Sequence, residues 1–112
     1  MSVVPAQLMA AAYIASSATS VYTCPSSTRA CIKSITLNNT STSAETVAFN
    51  LGPSGASAAA SNQILQLSVP AGTSVITQFP FPLVMAATDI LYAATTTASK
   101  VVISISGTTE AV

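Results

Sequence analysis

Few side chains in this 112-residue sequence could do chemistry: the thiols Cys24 and Cys31, the carboxylates Glu45, Asp89 and Glu110, the cations Arg29, Lys33 and Lys100, and the phenols Tyr13, Tyr22 and Tyr92. Histidine is absent, which removes the commonest general base, the commonest metal ligand and the partner of a serine nucleophile. Two carboxylates meeting in space could make a glycosidase pair. Their spacing gives no sign of it, and Glu45, Asp89 and Glu110 read as solvated charges at a turn, a strand entry and the chain end. Two cysteines alone cannot fill a four-ligand zinc site. Gly52-Pro53-Ser54-Gly55 resembles a phosphate loop but lacks the lysine and the following helix, so it reads as a turn. The tyrosines have faces for stacking sugars or bases, although core and rim positions of a β-sandwich account for them. Arg29 and Lys33 are either solvated or paired with acids of a neighbouring subunit. No catalytic, cofactor-binding or metal residue is assigned, and the chain is read as no enzyme.

The elements that carry these groups are strands. The organising stretch is Val21 to Asn39, VYTCPSSTRACIKSITLNN, read as a β-hairpin whose second arm is a core strand. A loop of Pro25 to Thr28 would leave Cys24 and Cys31 as diagonal neighbours roughly 7–8 Å apart, too far for an easy bridge. A six-residue loop would set them opposite each other and permit one. Reduced thiols packed as small hydrophobes are the expectation. Along the second arm, Ala30 and Ile32 lie out of phase with Ile35 and Leu37. Either both faces are covered or a bulge near Ser34 shifts the phase.

Before the hairpin, residues 1–9 read as an arm or edge segment, with Pro5 denying a ladder hydrogen bond, and a strand follows around Met9 to Ile14. After it, alternating strands run through Val47-Phe49-Leu51, Leu65-Leu67-Val69, Val75 to Phe81, Ile90 to Ala94 and Val101-Ile103-Ile105, with turn signals between. Pro80 and Pro82 require their strand to end or to lie at an edge. Leu83 to Thr88 reads as a connection, Gly107 as a strand terminator, and 108–112 as a polar tail. The expected core is Ile35, Leu37, Val47, Phe49, Leu51, Leu67, Val69, Val75, Phe79, Val101, Ile103 and Ile105. The fold class is all-β: residues 1–112 form a single antiparallel β-sandwich or jelly-roll-like domain of seven or eight short strands.

Charge is scarce. Only 5% of residues are charged and the net charge is zero, against roughly 25% charged in a typical soluble domain. Ala, Ser and Thr supply close to half the chain. Three scattered basic residues make no phosphate-binding patch, so nucleic acid is not an expected partner. No apolar run reaches the ~18–20 residues of a membrane helix. The N-terminal stretch has the small apolar run of a signal peptide but lacks its basic start, and Pro5 and Gln7 interrupt it, so cytoplasmic synthesis is expected. A neutral, charge-poor surface invites self-association, and the chain reads as one made to be covered by other subunits.

Several stretches carry a resemblance: Pro5 to Ala11, Ser17 to Pro25, Thr28 to Thr40, Phe49 to Gly55, Ser61 to Leu65, Val69-Pro-Ala-Gly-Thr73 and Ile105-Ser-Gly107. Together they are similar to small β-sandwich structural proteins of tailed bacteriophages. The motifs are turn and strand signatures with no catalytic content. Relatives often carry an acid-Gly-Asp turn before the seventh strand, where this chain has Ala87-Thr88-Asp89. The resemblance implies a virion location and a non-enzymatic role, first as a capsid decoration (cement) protein contacting the major capsid protein. The alternatives are a head–tail connector, tail or fibre-associated subunit, or a receptor- or glycan-binding module. A homo-oligomer, trimer or dimer, is expected, with the N-terminal arm as its lattice contact.

Overall fold

The computed structural model describes residues 3–53 and 62–111. Eight strands follow in chain order: β1 (Val3–Tyr13), β2 (Thr19–Thr23), β3 (Thr28–Asn39), β4 (Glu45–Gly52), β5 (Gln63–Val69), β6 (Ser74–Met85), β7 (Ile90–Thr95) and β8 (Val101–Ala111). They form two four-stranded antiparallel sheets, β1-β8-β3-β6 and β2-β7-β4-β5. The pairing is nested: β1 with β8, β2 with β7, β3 with β6, β4 with β5. Apart from β4–β5, each connection passes from one sheet to the other, which gives a jelly roll.

This topology corrects the hairpin. β2 and β3 lie in different sheets, so Val21 to Asn39 is a crossover between layers. Backbone bonds hold the end of β2 to the entry of β7: Cys24 N–H donates to Asp89 O and Thr88 N–H to Cys24 O, each at 2.9 Å. Thr88 sits there at φ 68°, the left-handed conformation that a glycine takes most easily. Both cysteines are free thiols, Cys24 buried and Cys31 half-buried.

The bulge in β3 is present. Register shifts between Ile32 and Ser34 against both β6 and β8. Ala30 and Ile32 before the bulge, and Ile35 and Leu37 after it, therefore all face the core. The extra residue reverses the phase of a period-two strand, so both apolar pairs reach one side.

Of the expected core, Ile35, Leu37, Val47, Phe49, Val69, Val101, Ile103 and Ile105 are buried, while Leu51, Leu67 and Val75 are half-buried against them. The side chain of Phe79 lies outside the described set. Ile14, Cys24, Ala30, Ile32, Met85, Leu91 and Ala93 complete the core.

Four boundaries differ from the sequence reading. Of the arm or edge segment expected at 1–9, the edge holds: from Val3 on it is strand, pairing Val3 with Glu110 and Pro5 with Thr108 at the edge of the first sheet. The tail expected at 108–112 is the end of β8, which is strand through Ala111. Gly107 terminates nothing: it sits between Ala6 and Ile32, where an added Cβ would lie 2.0 Å from the Cys31 carbonyl oxygen. Glycine allows the close approach of β3 and β8 beside the bulge. Likewise Leu83–Met85 belong to β6, whose prolines lie on an edge strand where the register with β3 breaks.

Candidate functional site

The fold pairs two of the charged groups. Arg29 and Glu110 are cross-strand partners on β3 and β8 and form an ion pair, the only one among the described residues. Arg29 is thus satisfied within the chain. Asp89 closes the turn before β7 by accepting the Ala86 N–H at 3.0 Å. Lys33 is exposed on β3. Among the described residues no group of three or more His, Cys, Asp or Glu side chains could hold a metal ion. No described helix is long and apolar enough to cross a membrane.

Cys24 is inert by placement. Burial pushes its thiol up, and the nearby Asp89 charge adds to this against the lowering effect of backbone hydrogen bonds. Its Sγ–H points at the carbonyls of Thr28 and Met85, 3.3 and 3.7 Å away. Tyr22 is also raised, mainly by desolvation. Tyr22 packs half-buried against the core, whereas Tyr13 is 56% exposed.

Glu45 is the residue that the sequence misplaces. Expected as a solvated turn charge, it is only 4% exposed at the start of β4, and its Oε1 accepts the Thr97 N–H at 2.8 Å. A carboxylate this covered costs free energy unless donors reach it. Thr97 supplies one from the β7–β8 loop.

Around Glu45 the β3–β4 and β7–β8 loops form a cleft of about 420 Å³, lined by Thr40, Ser41, Thr42, Ser43, Glu45, Thr97 and Lys100. Asn39, only 1% exposed, fixes its wall. Its amide donates to Ser43 O at 2.8 Å and Val69 O at 2.9 Å, and its Oδ1 accepts from Ser41 N–H at 2.9 Å and Ser41 Oγ–H at 2.7 Å. The Val69 bond ties β3 in one sheet to β5 in the other. Across the cleft, Thr40 bonds Lys100 O through both its N–H and its hydroxyl, each at 2.8 Å. The sequence showed only a polar turn at Asn38 to Ser43. An Asn followed two residues later by Ser, a local side-chain-to-backbone pattern, was the available signal.

The strand edges form the second candidate surface. The sheets end on β1, β6, β2 and β5, and none of these four strands contains a charged residue. The exposed large apolar side chains Val4, Tyr13, Ile64, Ile76 and Val84 all lie on β1, β5 or β6.

No family model matches the chain. No curated protein matches it either. Among solved structures, the fold is similar to a chain from Bacillus endospore appendages, described as a novel family of disulfide-linked pili. The TM-score is 0.57 at 18% identity, covering 98% of this chain and 88% of that one.

Proposed function

We propose that this chain is a non-enzymatic structural subunit whose copies associate through the edges of their sheets. The carrying observation is the absence of charge from all four edge strands. Monomeric sandwiches protect open edges with lysines, prolines, bulges or covering segments, because an unpaired row of N–H and C=O groups recruits further chains. Here β6 carries Pro80 and Pro82, and β1 carries Pro5 beside two register shifts. β5, QILQLSV, has neither charge nor proline. Exposed Ile64, Ile76 and Val84 give the same edges apolar area for a neighbour to bury.

The assembly read first is a bacteriophage virion, with the subunit decorating and stabilising the head shell. The sequence resemblance supports it, and a neck, tail or fibre position is its variant. The fold neighbour favours a second reading, a filament in which a head-to-tail contact repeats without closing. In either, the free-arm anchor gives way to an edge strand. Deleting 1–9 would strip the pairing from the outer half of β8 as well as removing a contact.

Size-exclusion chromatography with light scattering, followed by electron microscopy, tests the proposal. Concentration-dependent assembly is expected. Ile64→Lys on β5, the edge with neither charge nor proline, should reduce it while leaving the β-sheet circular dichroism intact. Closed dimers or trimers that bind particles support the shell, and open fibres support the filament. A monodisperse monomer at every concentration, with no affinity for particles, refutes the subunit reading.

A further inference from the structure

The cleft between the β3–β4 and β7–β8 loops is lined by no residue of the edge strands β1, β2, β5 or β6. We infer that it binds a neutral saccharide, with Glu45 and Lys100 as the groups that orient it. At about 420 Å³ it falls in the ~300–1,000 Å³ range of small-molecule sites. Such sites are mostly apolar, and this one is lined by serine and threonine residues with one glutamate and one lysine. A polar, uncharged ligand fits that lining.

Glu45 carries the argument furthest. It is buried and lines the cleft, yet only its Oε1 is bonded, to Thr97 N–H. Its second oxygen takes no hydrogen bond from any described residue and is not sealed from solvent. Lys100 lines the same cleft and makes no ion pair with it. Two residues of opposite charge therefore line one cleft without pairing. A sugar bridges them with adjacent hydroxyls, one donating to the open carboxylate oxygen and the next accepting from the ammonium.

The hydroxyl wall is already set. Ser41 Oγ–H is directed at Asn39 Oδ1 and Ser43 O, and Thr40 Oγ1–H at Lys100 O. Ser41 Oγ also accepts the Ser43 N–H at 3.3 Å and so keeps one lone pair for a ligand, as the Thr40 hydroxyl keeps its own. A phosphate would face Glu45, and a metal ion would find one carboxylate beside a lysine. Both are disfavoured.

The test is saturation-transfer difference NMR on the full chain, which works whether or not the chain is assembled. The probes are methyl glycosides of glucose, galactose, mannose and N-acetylglucosamine. At least one should receive saturation with a Kd of order ~1 mM, as about a dozen ligand atoms of ordinary efficiency give. Lys100→Ala, at an exposed position, and Glu45→Gln, which keeps an acceptor for Thr97, should each weaken binding about tenfold, one charge-assisted hydrogen bond. If Glu45→Gln fails to fold, Lys100→Ala and Thr42→Val carry the test. Absence of transfer to all four probes overturns the inference, as does unchanged binding by the variants. Perturbation of Thr40 to Glu45 by calcium alone, with no sugar response, also overturns it.

Discussion

Gly107→Ala probes the least forgiving contact in the sandwich. The new methyl would stand 2.0 Å from Cys31 O, 3.0 Å from Cys31 C and 3.1 Å from Ile32 Cα. All three obstacles are backbone, so no side-chain rotation relieves them. Carbon–oxygen contacts begin near ~3.3 Å, so β3 and β8 must part by about 1 Å where Ile32 pairs with Gly107 and Cys31 with Thr108. Losing two ladder hydrogen bonds costs about 2 kcal/mol, and the overpacking a further ~1–3 kcal/mol. The sum, ~3–5 kcal/mol, is a large share of the ~6–17 kcal/mol usual for a chain of this length. Urea unfolding should show it as a lower midpoint at unchanged slope. One fixed protein concentration is needed, because association of copies would add to stability. Gly72→Ala is the control: at φ 66° with nothing within 4 Å of its Cβ, it has a conformational cost alone, ~1–2 kcal/mol. If Gly107→Ala costs no more than Gly72→Ala, the close approach of β3 and β8 is refuted, and with it the continuation of β8 to Ala111.

Two further outcomes follow from the cleft wall and the buried thiol. Asn39→Ala removes two donated and two accepted hydrogen bonds and leaves Val69 O short of a donor; the expected loss is ~2–4 kcal/mol in urea unfolding, with amide protection lost first at 40–44. Stability should also fall on the alkaline side. Cys24 is raised in the folded protein, so above the free-thiol value of ~8.5 the unfolded chain loses its proton first, and the Cys24 contribution present below that pH is lost until the folded thiol also ionises. Urea midpoints measured from neutral pH upward should decline from about pH 8.5, and Cys24→Ala should flatten the first part of the decline; an equal slope in the variant would rule out Cys24 as its source.

What was legible in the chain was what a strand decides locally. The phase break between Ala30-Ile32 and Ile35-Leu37 left two options, both faces covered or a bulge, and the register shift shows the bulge, which brings both pairs to one side. Pro80 and Pro82, each lacking a donor, required a strand end or an edge, and the strand runs on to Met85 at an edge. The partner of each strand was not local. β2 and β3 read alike whether they pair with each other or with β7 and β6, and nesting is decided by burial across the whole chain. Glu45 was misplaced on the same ground, since its donor Thr97 lies 52 residues away. The meaning of the missing charge also waited for topology. As composition, few charges meant only a surface prone to association. The pairing order shows where they are missing: the described sandwich keeps Arg29, Lys33 and Glu110 on the inner strands β3 and β8, and Glu45, Asp89 and Lys100 at its ends, leaving each edge strand uncharged. On the association proposed above, a charge on an edge strand would be stripped of water at the contact, so the edges are expected to be uncharged.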